Sequence, residues 1–446
     1  MLSETKRDRA VVIGGSIDGL LSAKVLSAFF DEVVIVERDV IEEDAAPRKG
    51  VPQSPQPHIL LAQGYRLLTA FFPDFAEALT GAGAVPIDWG KDFHYFIFGG
   101  WVATDAAGTS LKSFSCTRPL LETVIRQCVE GLGNVQRLSP YRVEALLGSA
   151  ETVTGVQCRH VRDKGEVRSL LADLIVDTSG RSTNAPKWLD KLGAHRPTIE
   201  TVDAGLGYAS QRFKIPDGWQ ADWKVLLIAH RPPKHHRLGY LAQVENNELI
   251  ATLGGYGWQY PPLDQRGFLQ EAKKLLAAEF YDAIAQATPV SEIKAYRSTA
   301  NKLHHYETLE QMPDGFIALG DSVCALCPAY GQGLTTSALS ATVLRNWLAE
   351  SPKRSQPLSV GAFQKNLVKE VMPAWRVATQ SDSGFENVKG EKINETLLDR
   401  FLNGYMQRLM QKSHCDSELA LRLARITHMV DSPLNLFHPN LVMKFF

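Results

Sequence analysis

Residues 11–39 read VVIGGSIDGLLSAKVLSAFFDEVVIVERD, and this order of apolar run, glycine turn, helical spacing and second apolar run decides the fold class. Ala10 to Ile13 is a short β-type run that Gly14-Gly15 ends. Leu20, Leu21, Lys24, Val25 and Ala28 then recur with helical rather than alternating spacing, and DEVVIVERD (Asp31 to Asp39) is a second buried strand. The spacing predicts a βαβ start of the dinucleotide-binding type, in which Gly14 permits the tight turn and Gly19 lets the helix pack close to the sheet. Where the backbone must approach a pyrophosphate, the turn carries Ser16 instead of a middle glycine. Serine is small enough for that place, and its hydroxyl can donate to a phosphate oxygen. Glu37 ends the second strand, where a carboxylate accepts hydrogen bonds from a ribose 2′-OH. That favours an unphosphorylated adenosine ribose, as in FAD or NAD, over NADP. For this segment alone, an unrelated βαβ turn is the alternative.

A second glycine-rich stretch follows roughly 300 residues later: GFIALGDSVCALCPAYGQGLTTSALSATVLRNWL, from Gly315 to Leu348. Phe316 to Leu319 is a short buried strand ended by Gly320-Asp321, and after a proline-containing loop Gly331-Gln332-Gly333 opens a long helix. An aspartate at such a strand end can hold sugar or ribityl hydroxyls. A glycine-rich helix start presents free N–H groups and a positive dipole end to a carbonyl carrying negative charge, as at the N1–C2=O edge of a reduced flavin.

These two segments, GGSIDG and GDSVCALCPAYGQG, resemble those of the group A flavoprotein monooxygenases, which share the para-hydroxybenzoate hydroxylase fold. Within that group the chain is similar to bacterial polyketide epoxidases of the lasalocid type. Supporting stretches are RKGVPQ (Arg48 to Gln53), HILLAQG (His58 to Gly64), CTRPLLETVIR (Cys116 to Arg126), ADLIVDTSGRST (Ala172 to Thr183) and GLGYAS (Gly205 to Ser210), and the resemblance runs nearly end to end. It implies an α/β fold: a Rossmann-like FAD domain, an inserted antiparallel substrate sheet and a helical C-terminal segment. The FAD domain would be discontinuous, at 1–75, 115–195 and 296–350, with 76–114 and 196–295 forming the substrate domain and 351–446 the helical segment.

The resemblance also implies site residues. Gly14, Gly15, Ser16 and Gly19 would form the phosphate turn, and Glu37 would bind the adenosine ribose. Arg118 would reach the pyrophosphate or ribityl region. Gly320 and Asp321 would hold the ribityl chain, Pro328 would sit beside the isoalloxazine, and the backbone of Gly331, Gln332, Gly333 and Leu334 would cap its pyrimidine edge. Arg38, Arg48, Val143 and Asp177 complete the cofactor-binding candidates. TSG (Thr178 to Gly180) stands where many aromatic hydroxylases carry Asp-Gly in a segment linked to NADPH use. The reductant is therefore open between NADPH and NADH, used directly or through a separate flavin reductase.

The implied activity is insertion of one oxygen atom from O2 into an apolar small molecule through a flavin C4a-hydroperoxide, with epoxidation of an alkene ahead of aromatic hydroxylation. Such chemistry asks the protein mainly to exclude water and position substrate. No conspicuous acid–base constellation is visible. His58 and Tyr208 are the cavity candidates, against a backbone-bonded loop histidine and a structural sheet tyrosine. Cys324 and Cys327 have CxxC spacing, which permits a redox disulfide, but two packing thiols are the simpler expectation. His235-His236 and His304-His305 are adjacent pairs whose side chains diverge, so no metal is expected. Competing activities are a flavin halogenase, a geranylgeranyl-type reductase and a non-catalytic FAD-binding protein. Halogenases carry Trp-x-Trp-x-Ile-Pro and a tunnel lysine, and YGWQYPP (Tyr256 to Pro262) lacks the first tryptophan.

In 446 residues, 48 Lys plus Arg nearly balance 49 Asp plus Glu. This balance gives no reason to expect nucleic acid as a partner, and an uncharged small molecule fits it better. MLSETKRDRA is polar, without the apolar core of a signal peptide, and no apolar run approaches ~18 residues. Six scattered cysteines suit a reducing compartment, so a cytoplasmic location is expected. Strand-like runs between 200 and 262 predict an antiparallel sheet, and the resemblance implies that this sheet covers the flavin and forms the substrate cavity with a contribution from about 76–114. Beyond 350 the pattern is helical, with Pro352, Pro357 and Pro373 as expected breaks and Leu397 to Gln411 strongly amphipathic. This tail is expected to cap the FAD domain, and its apolar end NLFHPNLVMKFF offers a less favoured membrane contact.

Overall fold

Val11, Val12 and Ile13 are buried with Val33 to Val36 because both runs lie inside one parallel sheet, whose two faces are covered. The computed structural model describes residues 7–42, 45–105, 107–163, 165–350, 359–391 and 396–437. The sheet has five strands in the order Phe316–Ala318, Leu174–Asp177, Arg7–Ile13, Phe30–Val36 and Val135–Leu138, all parallel. Helix Ile17–Leu26 is buried nearly all round, packed between helices Arg118–Glu130 and Gly333–Glu350, which explains an apolar sequence with almost no polar face. Gly14 has φ +101°, and a Cβ on Gly19 would stand 1.9 Å from the Gly14 carbonyl oxygen. Both glycines are therefore required by the turn.

The second large element is an eight-stranded sheet built from Gly207–Lys214, Glu248–Gly255, Arg237–Val244 and Val225–Ile228, extended at one edge by Phe93–Ile97 and Gly100–Trp101 and at the other by Thr288–Pro289 and Lys294–Tyr296. Its central pairs are antiparallel; only Val225–Ile228 with Phe93–Ile97 is parallel among its described pairs. The central hairpin turns at Asn246 and Asn247, both with positive φ, a conformation asparagine tolerates better than most residues. The Glu245 carboxylate in that turn accepts the Thr117 N–H at 2.9 Å. The hairpin is thereby tied to the start of the helix that carries Arg118.

The tail differs from expectation in two ways. Pro373 breaks nothing: it lies inside the continuous helix Val360–Ser383. Pro373 and Lys369, whose carbonyl loses its partner, are both exposed, so water can satisfy that group and the usual penalty is reduced. Pro352 and Pro357 lie outside the described residues. The tail is also divided between the two sheets. Helix Val360–Ser383 packs on helix Gly333–Glu350 and strand Phe316–Ala318. Helices Leu397–Lys412 and Ser417–Thr427 instead reach the other sheet, where His414 Nε2 meets the Ile97 carbonyl at 3.0 Å and Leu421 and Ala424 pack in the cluster of Trp89, Ile87 and Val225. Most of NLFHPNLVMKFF lies outside the described residues. No described helix is long and apolar enough to cross a membrane.

Candidate functional site

One cavity of about 360 Å³ opens between the two sheets. The C-terminal ends of strands Arg7–Ile13, Leu174–Asp177 and Phe316–Ala318 deliver their loops to it, bringing Ser16, Asp18, Thr178 to Ser182 and Asp321 to one wall. This is where an open parallel sheet binds ligands. Arg38, Arg118, Pro328, Gly331, Gly333 and Leu334 join that wall, and the opposite side carries Tyr208, Leu227, Leu238, Tyr240 and Thr252 from the eight-stranded sheet. A polar, glycine-rich wall thus faces an apolar one.

Of the sequence candidates, Ser16, Arg38, His58, Arg118, Tyr208, Asp321, Pro328, Gly331, Gly333 and Leu334 line this cavity. Gly14, Gly15 and Gly320 lie in the turns that carry these residues and Gly19 in the first turn of helix Ile17–Leu26; none of the four lines the cavity. Glu37 is buried: one carboxylate oxygen accepts the Gly15 N–H and the other the Asp39 N–H, each at 2.8 Å. Arg48 does not line the cavity. Its guanidinium is held by Glu122, Glu37 and Asp39, because three carboxylates surround it in a buried setting. Val143 is a core residue of strand Tyr141–Gly148. Asp177 is fully buried and accepts from Ser179 and Thr183, so it shapes the loop that follows it. Gln332 is buried at the start of the last cavity helix, with Oε1 unpartnered.

Ser16 is more than a tolerated substitute for glycine. Its hydroxyl donates to Glu122 at 3.0 Å and accepts from Arg118 at 2.9 Å, where the sequence reading expected a phosphate partner. Thr178 donates to the Ile13 carbonyl at 2.8 Å, tying the TSG segment to the glycine turn. No stretch of the sequence between 76 and 114 contributes a described lining residue to the cavity. That segment forms the sheet edge and a small separate pocket with Trp89, Phe93, Tyr95 and His428: strand Phe93–Ile97 pairs with the cavity strand Val225–Ile228, with Tyr95 opposite Leu227, yet Tyr95 lines the small pocket and Leu227 the cavity.

His58 opens on the cavity yet is deeply enclosed. Its Nδ1 lies 3.0 Å from the Gln56 carbonyl, which places the ring proton there and leaves Nε2 as an acceptor. Burial, reinforced by the Arg118 charge, pushes its pKa down to about 3. It is a neutral imidazole at neutral pH. Burial holds the Tyr208 phenol well above its usual range, so it stays protonated. Asp18, which the sequence reading did not single out, is pushed up to about 6 by burial and by the neighbouring Asp321 charge. Gln56 and Thr252 were also missed; both contact the Ser210 hydroxyl at 2.5 Å, pinning the His58 loop to the sheet.

Cys324 and Cys327 are free and buried, and burial pushes both thiols up, opposite to the activated thiolate of a redox pair. Among the described residues no group of His, Cys, Asp or Glu is arranged to hold a metal ion. Among the described residues, two buried polar atoms on the cavity lining, Asp18 Oδ1 and Arg118 Nε, have no hydrogen-bond partner. A polar, hydroxyl- and phosphate-bearing ligand fits such donors and acceptors.

No protein-family model matches the chain. Protein Rv3254 of Mycobacterium tuberculosis is 32% identical over 410 residues, spanning 89% of this chain and 86% of that protein. Among solved structures, a triple mutant of the flavin-dependent brominase Bmp2 superposes with a TM-score of 0.68 at 11% identity, covering 98% of both chains. The p-nitrophenol 4-monooxygenase PnpA of Pseudomonas putida gives 0.65 at 17% identity, covering 96% of this chain and 100% of that one. At these identities the structural likeness establishes the fold, the one shared by group A flavoprotein monooxygenases and flavin halogenases.

Proposed function

This chain belongs to the family of the mycobacterial protein Rv3254, and from that premise we propose that it is an FAD-dependent monooxygenase acting on an apolar natural-product substrate, with alkene epoxidation ahead of aromatic hydroxylation. One observation carries the reading: a single cavity joins the glycine turn, Arg118 and Asp321 to the apolar side chains Leu227, Leu238 and Tyr240. FAD, when bound, supplies O2 activation and oxygen-atom transfer. Substrate, O2, NAD(P)H and a proton would give oxygenated product, NAD(P)+ and water, with the reductant acting directly or through a separate flavin reductase.

In this reading the segments 1–75, 115–195 and 296–350 form the FAD-binding domain. Gly14, Gly15, Ser16 and Gly19 make the diphosphate turn, Glu37 and Arg38 serve the adenosine end, Arg118 the diphosphate, and Gly320 and Asp321 the ribityl chain. Pro328 and the backbone from Gly331 to Leu334, Gln332 included, border the ring system. Arg48, Val143 and Asp177 support these residues from behind the cavity. The segments 76–114 and 196–295 form the substrate domain, although the cavity face comes from the latter. Tyr208 and Tyr240 exclude water, and His58 Nε2 accepts a hydrogen bond within the cavity. The RKGVPQ and GLGYAS segments support the kinship with polyketide epoxidases, and the scattered thiols support a cytoplasmic setting.

A second reading, halogenation, is favoured by Lys302, which lines the cavity as a tunnel lysine would. The discriminating experiment is turnover with labelled O2 on candidate alkenes and arenes, with and without chloride or bromide, analysed by mass spectrometry. Labelled oxygen in an epoxide supports the first reading. A halogenated product formed only with halide would replace it, and loss of FAD binding in Asp321→Ala would separately support the ribityl assignment.

A further inference from the structure

Asp18 stands in the first turn of helix Ile17–Leu26, at the end whose free N–H groups and dipole suit a diphosphate. Its carboxylate makes no cap to that helix. It reaches instead to the loop after strand Phe316–Ala318, where Oδ2 accepts the Asp321 N–H at 3.2 Å and Oδ1, buried, has no hydrogen-bond partner among the described residues. The approach is close: a Cβ on Gly320 would stand 2.2 Å from Asp18 Cγ. Asp18 and Asp321 both line the cavity.

The groups facing this pair come from several other elements. Burial, with the Asp321 charge added to it, raises the Tyr296 phenol and the Cys324 thiol. Arg118, from helix Arg118–Glu130, bonds Ser16 and Glu122. Arg181, from the loop after strand Leu174–Asp177, donates to the Ala300 and Leu326 carbonyls. Ser337, from helix Gly333–Glu350, donates to the Gly333 carbonyl at 3.0 Å and stands beside the Asp18 carboxyl, which it helps to hold down against burial. Both cations temper the pair's charge from a distance, but neither forms an ion pair with Asp18 or Asp321. Two carboxyl groups sharing an enclosed site do not both ionise readily.

We propose that Asp18 makes cofactor loading proton-linked: the Asp18–Asp321 pair takes up a proton when the diphosphate of FAD enters beside it, so that affinity falls as pH rises. The proposal rests on the reading of the cavity as an FAD site. The anionic diphosphate raises the proton affinity of the carboxyl it approaches, and a state that binds more protons is disfavoured at higher pH. An asparagine at position 18 keeps the shape and an acceptor for the Asp321 N–H but has no proton to gain.

The test is calorimetric titration of FAD into the full chain freed of flavin, in two buffers of different ionisation enthalpy. Wild type is expected to take up roughly half to one proton per FAD near about pH 7.5, with Kd rising roughly three- to tenfold per pH unit between about pH 6.5 and 8.5. Asp18→Asn should show no uptake, a flat Kd, and tighter binding than wild type at the alkaline end. Asp18→Ala is the second variant, expected to lose the uptake likewise. Negligible uptake by wild type, or uptake that survives in Asp18→Asn and disappears in Asp321→Asn, would overturn the proposal. Failure of wild type to bind FAD at any pH would overturn the cavity reading itself.

Discussion

The Tyr330 hydroxyl donates to Asp382 Oδ1 at 2.6 Å, joining helix Val360–Ser383 to the loop that borders the cavity. Asn301 Nδ2 donates to the other carboxylate oxygen at 2.7 Å, and Asn301 Oδ1 accepts the Cys327 N–H at 2.7 Å. A carboxylate only 1% exposed, with no ion pair among the described residues, therefore anchors both ends of the segment Cys327 to Tyr330.

Burial pushes Asp382 up to about 6, against the lowering effect of its hydrogen bonds. A carboxyl with a raised folded pKa binds more protons folded than unfolded, so its contribution becomes less favourable as pH rises from its unfolded value of 3.8 to about 6. Relative to Asp382→Asn, wild type should lose about 2–3 kcal/mol of stability between pH 4 and 7. Denaturant titrations of both proteins check this; a pH-independent difference would mean that burial does not raise the Asp382 carboxyl.

His428 gives the opposite sign. It is 3% exposed, its Nδ1 accepts the Ala62 N–H at 3.1 Å, and burial pushes its pKa down to about 3. The unfolded chain therefore binds the extra proton first, and the folded state loses stability as pH falls below 6.5 towards 3. His428→Gln keeps an acceptor without the titration. The stability difference should turn against wild type by roughly 1.4 kcal/mol per pH unit in that window. Parallel acid denaturation curves would contradict it.

Ser16→Gly removes the hydroxyl shared by Glu122 and Arg118, and should cost about 1–3 kcal/mol of stability, the range for stranding a buried polar partner. FAD titration of the same variant tests whether the Arg118 placement matters to binding. Glu37→Ala should weaken FAD by about 1.5–3 kcal/mol. Full stability in Ser16→Gly would show that the serine only fills the place of a glycine.

His58→Gln should retain oxygen insertion while raising uncoupled hydrogen peroxide release, since a neutral imidazole that accepts a hydrogen bond excludes water more than it moves protons. Product and peroxide are assayed together. Complete loss of oxygenation with FAD binding and reduction intact would assign His58 an acid–base role and favour phenol hydroxylation.

The βαβ start, the second glycine-rich strand and helix, and the strands of the 200–262 region were legible in the sequence because each depends on local periodicity and turn chemistry over a few residues. Gly14, Gly19, Asp321 and the helix opened by Gly333 stand where those patterns put them. The run that forms strand Arg237–Val244 was legible as a strand, but its place in the sheet decided that Leu238 and Tyr240 face the cavity. Tertiary structure alone set Ser16 against Glu122, turned Arg48 to three carboxylates and divided the tail between two sheets. It alone brought Asp18 to Asp321, 303 residues away. A charged side chain's partner depends on which distant loops share its enclosure, and that enclosure exists only once both sheets have packed.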